Sequence, residues 1–267
     1  MRRSPAFVRA LPLGWALILA PSAAMAQGAA TPAVDSAQPD AALEAGVETD
    51  AGSLYVFRGL VYSDGPVNQS RAWVEFAGFG LYAWSNVAVE AAAQARRLNE
   101  VDLGASYAFG RGELTVTPAV DLYLYRLSGP ERAAGGATYT AEVSATITYG
   151  WGGTSVFTRH VVDAASNRGA YFGELGATCD RALTPRSELG LSAWVGWASA
   201  RYNHAYIGPH RAGPAVAGVG ISISRRFGRH IYVRPHAELT TVPDAVLRAG
   251  LAQPTNGSVG VAFGFAR

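Results

Sequence analysis

Thr138-Tyr139-Thr140-Ala141-Glu142-Val143-Ser144-Ala145-Thr146-Ile147-Thr148-Tyr149-Gly150 is the stretch that decides the fold. Tyr139, Ala141, Val143, Ala145, Ile147 and Tyr149 fall on one face of an extended chain. Thr138, Thr140, Glu142, Ser144, Thr146 and Thr148 fall on the other. Side chains that alternate with a period of two point to opposite sides of a β-strand. The apolar face is closed by a tyrosine at each end, as expected of a strand that crosses a bilayer between two aromatic girdles.

The same rhythm recurs along the chain. Glu113 to Leu124 sets Leu114, Val116, Pro118, Val120, Leu122 and Leu124 against Thr115, Thr117, Asp121 and Tyr123. His230 to Leu239 and Glu188 to Trp197 alternate in the same way. The last segment sets Val259, Val261, Phe263 and Phe265 against Gly260, Ala262, Gly264 and Ala266. Strands are predicted near 52–60, 69–77, 80–91, 98–109, 112–126, 137–149, 153–163, 169–180, 186–200, 214–226, 229–241 and 257–266. Short connections, such as Gly78-Phe79 and Phe227 to Arg229, alternate with longer polar ones, such as Leu127 to Gly136, Arg201 to Ala212 and Thr241 to Asn256. That alternation is the pattern of short periplasmic turns and long external loops. The expected fold is all-β, an antiparallel transmembrane β-barrel of about twelve strands over residues 51–267.

The N-terminus indicates export. Arg2, Arg3 and Arg9 precede the apolar run Leu11 to Ala20, and Ala24-Met25-Ala26 supplies a small-x-small cleavage site. Residues 1–26 therefore read as a signal peptide, too short for a spanning helix. Residues 27–50, rich in Ala, Pro, Gln and acidic side chains, read as a flexible periplasmic linker. The expected location is the bacterial outer membrane, with its lipid and its insertion machinery as partners.

Charge and cysteine content exclude other classes. The chain carries 22 basic and 20 acidic side chains, and every basic one is arginine. Removing the three signal arginines leaves it near neutral, with no basic run interleaved with aromatics, so nucleic acid is not an expected partner. Cys179 is the one cysteine, which forbids an internal disulfide and a cysteine metal cluster. No cofactor motif is present: Gly218-Val219-Gly220 lies within a strand, with no helix following to hold a phosphate.

A soluble sandwich also alternates, but its polar face meets water and its strands are shorter. Here Glu, Asp and Arg stand at mid-strand, and the segments are long enough for a tilted span. In hydrocarbon no edge can stay unpaired, so such a sheet must close.

The first strands carry a further pattern. Ser53-Leu54-Tyr55-Val56-Phe57-Arg58-Gly59-Leu60 is followed by Ser63-Asp64-Gly65-Pro66-Val67-Asn68-Gln69, by Gly80-Leu81-Tyr82-Ala83-Trp84-Ser85-Asn86-Val87, and by Asn99-Glu100-Val101-Asp102-Leu103. From Ser53 to about Tyr125 the chain resembles the TorF-like porin family of proteobacterial outer-membrane proteins. Tyr55, Phe57, Arg58, Gly59, Asp64 and Gly65 carry the match, and Leu54 stands where that family usually has Asp. The resemblance implies a barrel with a pore, and neither a substrate nor a catalytic residue.

Strand parity nominates an interior. Arg58, read as part of the first strand, is expected in the lumen, with Arg71, Glu75, Glu90, Asp102, Asp121, Glu142, Glu174, Glu188, Arg226, Arg234, His236 and Glu238. These charges either line a narrow water path and select solutes, or pair across it and plug it. Tyr82, Trp84, Tyr123, Trp194 and Tyr232 are expected to face inward too. The function expected is passive diffusion of a small polar or ionic solute, with a lean toward cations. The rival readings are a sealed structural or surface-interaction barrel and an enzyme acting on lipid at the outer wall. For the enzyme, Thr158-Arg159-His160 is the nearest hint, without a matching polar partner, so no catalytic residue is assigned. His204 and His210 flank Tyr206 without acidic company, so no metal site is assigned either. The segment Val242 to Gly250 is expected to form a short helix at the pore mouth, with Pro243 in its first turn and Gly250 at its stop.

Overall fold

A computed structural model describes residues 43–90, 95–126 and 137–267. Twelve antiparallel strands close into a barrel. They are β1 (Glu44–Gly52), β4 (Val67–Phe76), β5 (Phe79–Glu90), β6 (Ala95–Tyr107), β8 (Leu114–Tyr125), β9 (Tyr139–Trp151), β10 (Thr154–Asp163), β11 (Tyr171–Thr184), β12 (Ser187–Ala198), β13 (Gly213–Phe227), β14 (Ile231–Thr241) and β15 (Thr255–Ala266). The short β7 (Phe109–Arg111) continues β6 and pairs with the start of β8. Neighbours in sequence are neighbours in the wall, and the pairing of β1 with β15 closes the ring. A hairpin of β2 (Tyr55–Phe57) and β3 (Leu60–Ser63) pairs only with itself and stands outside this wall.

The pleat sorts every strand into two faces. On β9, Val143, Ile147, Tyr139 and Tyr149 are exposed, while Thr140, Glu142 and Ser144 are buried. Large apolar side chains cover most of the outside in the same way, among them Val120, Leu175, Val195, Ile221, Leu239 and Val259. An outside this apolar over strands of nine to fifteen residues suits hydrocarbon, and closure leaves it no unpaired edge.

The short turns all lie at one end. They are Ala77-Gly78, Gly112-Glu113, Gly152-Gly153, Pro185-Arg186 and Gly228 to His230. Outward aromatics gather there: Phe79 and Tyr107 are 4.5 Å apart, Tyr107 and Phe109 6.0 Å, and Tyr149 and Trp151 5.6 Å between ring centroids. The other end carries the β2–β3 hairpin and two short helices, α1 (Ala200–Tyr206) and α2 (Ala245–Ala249). Ser199 caps α1 by accepting from the Tyr202 N–H. Asp244 caps α2 by accepting from the N–H groups of Val246 and Leu247, and Gly250 ends it. Pro243 therefore precedes the cap rather than entering the first turn, and α1 was read from sequence only as a polar loop.

Two expectations are corrected. Residues 44–50, assigned to the linker, form most of β1, and residues 52–60, assigned to the first strand, lead into the hairpin. The reason is hydrophobic strength. The outward face of β1 offers only Ala45, Val47, Thr49 and Ala51, whereas Tyr55 to Leu60 is far more apolar and buries its side chains inside the barrel. Residues 1–42, including the expected signal peptide and most of the linker, lie outside the described residues.

Candidate functional site in the barrel lumen

The hairpin governs the long-loop end of the lumen. At its tip Arg58 and Gly59 have positive φ of 51° and 82°, the two-residue pattern of a tight hairpin turn whose strands twist together. Every residue from Tyr55 to Leu60 is buried, so both faces of the hairpin meet the barrel interior. Tyr55 packs against Trp84 at 5.6 Å and Phe57 against Tyr123 at 6.3 Å between ring centroids. A Cβ added at Gly59 would meet Val216 at 3.0 Å, and Asn256 donates to the Gly59 carbonyl at 3.4 Å. Close approach and positive φ together require glycine at that position.

Arg58 is the anchor. Its Nη1 and Nη2 donate to the two carboxylate oxygens of Glu142 on β9, both at 2.8 Å. The Tyr123 hydroxyl on β8 donates to the same carboxylate at 2.8 Å. The guanidinium carbon lies 4.5 Å from the centroid of the Phe57 ring, 4.7 Å from that of Phe172 and 5.7 Å from that of Tyr202. A planar cation gripped edge-on by a carboxylate and covered by aromatic faces is held in both its binding directions. Parity had placed Arg58 inside as a residue of the barrel wall. It lies inside instead as the tip of an inserted loop.

Elsewhere in the lumen, polar and charged side chains pair along the inner wall, between strands that are adjacent or one strand apart. Tyr82 donates to Asp121 at 2.7 Å, and Arg159 donates to the other oxygen of Asp121 at 3.3 Å. Arg234 pairs with Glu48 at 2.7 Å, and Tyr232 donates to the same carboxylate at 2.6 Å. His236 Nε2 lies 2.6 Å from Asp50. Thr140 donates to Asp163 at 2.6 Å. Arg71 stands over the Tyr82 and Trp73 rings at 5.2 and 5.6 Å. Asp102 is fully buried, and neither of its carboxylate oxygens has a hydrogen-bond partner. A buried carboxylate without donors is costly unless water or a cation reaches it.

The register turns the remaining nominated residues inward as well. Glu75 faces Gly80, Glu174 faces Arg159, Glu188 faces Ser224, Arg226 faces Tyr232, and Glu238 faces Gly220 and Ser258. The side chain of Glu90 lies outside the described residues. Sequence reading missed Glu48 and Asp50, which it left in the linker, although their alternation with Val47 and Thr49 was available. It also missed Arg159, Asp163, Phe172 and Tyr202. Tyr82, Trp84, Tyr123 and Trp194 are buried and Tyr232 faces Arg226, as parity gave.

The outer wall carries polar groups, among them Thr49, Asn68 and Ser70, and an imidazole at His160. His160 faces outward, with Nδ1 2.8 Å from the Tyr171 hydroxyl and Nε2 3.2 Å from the Thr158 hydroxyl. Thr158 donates its one hydroxyl proton to the Glu174 carbonyl at 3.0 Å. One direction satisfies the whole chain: Tyr171 donates to His160, His160 to Thr158, and Thr158 to the backbone. The imidazole then donates to the hydroxyl, the reverse of a base activating a nucleophile. The rings of His204 and His210 lie 5.5 Å apart, and among the described residues no group of three or more His, Cys, Asp or Glu is placed to hold a metal. Cys179 is outward-facing, and Thr154 donates to its sulfur at 3.7 Å.

Comparison with solved structures finds the same barrel fold in outer-membrane proteins. The chain is similar to the KdgM porin, with a TM-score of 0.50 and 12% identity over 82% of this chain and 98% of that one. The shared fold is a closed antiparallel outer-membrane β-barrel. The NanC porin follows at a TM-score of 0.47, with 12% identity over 84% of this chain and 99% of that one. An outer membrane channel from Pseudomonas putida F1 gives 0.45, with 9% identity over 87% and 97%. No protein-family model matches the sequence, and a search of curated proteins finds no match. At these identities the likeness concerns the porin fold alone.

Proposed function

We propose that the chain is a porin-like channel of the bacterial outer membrane for passive diffusion of small polar or ionic solutes. The observation that carries this reading is a closed barrel with an apolar outside and a lumen lined by ionisable side chains. Inward carboxylates, among them Glu48, Asp50, Asp102, Asp121, Glu142, Glu174, Glu188 and Glu238, outnumber the inward arginines Arg58, Arg71, Arg159, Arg226 and Arg234. That excess favours cations over anions. Residues 1–26 direct export and are removed, the chain meets outer-membrane lipid and the insertion machinery, and the TorF-like motif around Arg58 marks its nearer kin. It carries out no reaction of its own.

The second reading, a sealed barrel, has one specific observation in its favour: the hairpin fills the long-loop end and is anchored through Arg58. The two readings part on conductance. Purified protein in planar bilayers is expected to conduct, with a reversal potential under a KCl gradient that reports cation preference. A folded barrel that stays silent even after the hairpin is replaced by a short glycine linker would sink the channel reading.

A further inference from the structure

The surroundings of Arg58 divide between two parts of the molecule. Phe57 belongs to the hairpin, but Glu142, Tyr123 and Phe172 belong to the wall, and Tyr202 belongs to α1 above it. Take the hairpin away and the wall keeps a carboxylate, held by the Tyr123 hydroxyl at 2.8 Å, beside two aromatic faces. We propose that this wall site is a binding site for a cationic solute bearing a guanidinium or a similar planar cation, and that Arg58 is its built-in competitor. The proposal rests on the channel reading, because the solute must enter the lumen to reach the site.

Three features of the geometry point to a receptor rather than a plain brace. A brace needs one charge contact, whereas Glu142 presents both oxygens in the plane of the guanidinium, at 2.8 Å each. Such fork-to-fork pairing selects a planar, multi-donor cation over a spherical one. The aromatic faces of Phe172 and Tyr202 lie at 4.7 and 5.7 Å from the guanidinium carbon, and they add attraction for an organic cation that sodium does not share when hydrated. Finally, the tethered occupant is held by a strained backbone. A non-glycine residue at φ 51° sits in the left-handed region that L side chains disfavour, a cost that a free solute in the same site would not carry.

The experiment is chemical rescue. Arg58→Ala is expected to raise single-channel conductance by opening the constriction, and millimolar guanidinium chloride, added to a constant background of KCl, is expected to close it again. Guanidinium should act at a concentration roughly ten-fold or more below that at which sodium has any effect, the scale of one charge-assisted hydrogen bond. The wild type, whose site is occupied, and the Arg58→Ala/Glu142→Gln double variant should not respond. A block of equal strength in the double variant, or none in Arg58→Ala, overturns the proposal. Thermal melting of the same proteins in detergent gives a second readout that does not need conduction. Guanidinium at those concentrations should raise the melting temperature of Arg58→Ala and not that of the double variant. Silent barrels that still show this shift would count against the channel and for the site; conducting barrels without it would count the other way. If Arg58→Ala fails the heat-modifiable mobility test for a folded barrel, Arg58→Gln, which keeps the bulk and removes the charge, takes its place.

Discussion

Two hairpin tips in this barrel have the same backbone and opposite fates. Ala77 and Gly78, between β4 and β5, have φ of 49° and 84°. Arg58 and Gly59, between β2 and β3, have φ of 51° and 82°. The first tip lies at the short-turn end, and its flanking Phe76 and Phe79 face outward and are exposed. The second is driven into the lumen, where its flanking Phe57 and Leu60 are buried. Local geometry therefore does not decide where a tip goes. What differs is the side chain at the first position: alanine has nothing to reach for, whereas arginine carries five donors and finds a carboxylate on the opposite wall.

The comparison is broken most directly by removing the carboxylate. Glu142→Ala strands a buried guanidinium and is expected to cost about 3–5 kcal/mol in urea unfolding of the micelle-borne barrel. A loss below about 1 kcal/mol, the value of an exposed pair, would mean that water reaches the tip and that Arg58 is no better held than Ala77. Glycine to alanine at the second position comes next. Gly78→Ala should lose about 1–2 kcal/mol from the left-handed backbone alone. Gly59→Ala should lose more, because the new methyl meets Val216 at 3.0 Å; equal losses would show that the hairpin shifts freely within the lumen.

Asparagine, which tolerates positive φ, sharpens the contrast in sign. Ala77→Asn is expected to gain up to about 1 kcal/mol, while Arg58→Asn should lose stability despite its better turn chemistry. Smallest of all is a pH effect on the tether between the two helical loops. Asp244 is held below the ordinary carboxylate range by the Leu247 N–H and by Arg211, whose Nε is 2.9 Å away. A depressed carboxyl stabilises fully above its unfolded value and loses that contribution as pH falls toward the folded one. Amide exchange in residues 244–250 should therefore rise in acid and be insensitive to acid in Asp244→Asn, with the hairpin tip unaffected.

Most of the wall was legible because its signal is large. Outward faces such as Leu114 to Leu124 put an apolar side chain at each second position, and all the barrel strands after the first were anticipated on that basis. The first was not, because its outward face is Ala45, Val47, Thr49 and Ala51, while the next segment, Tyr55 to Leu60, is more hydrophobic and looks more like a membrane strand. Alternation shows that a segment has two different faces; it does not show what lies on either side. Parity assigns a charge to one face of its strand and says nothing of its pairing. Facing inward is a property of one strand, whereas the meeting of Arg58 with Glu142 depends on closure of the ring. The same holds at His160: it faces outward, and only the neighbouring strand brings Tyr171 to its ring.

The seam between β1 and β15 bears on how the chain is assembled. Each other join in the wall links strands adjacent in sequence and can zip up locally, whereas the seam must wait for the end of the chain. The hairpin follows directly on β1, yet its tip takes a hydrogen bond from Asn256, 197 residues away on β15. The last strand thus completes the ring and fastens the object inside it in a single event. A nascent chain that stops short of Thr255 leaves β1 with a bare edge and the tip without that bond, so release of an unfinished barrel into the membrane is penalised twice by the same missing strand.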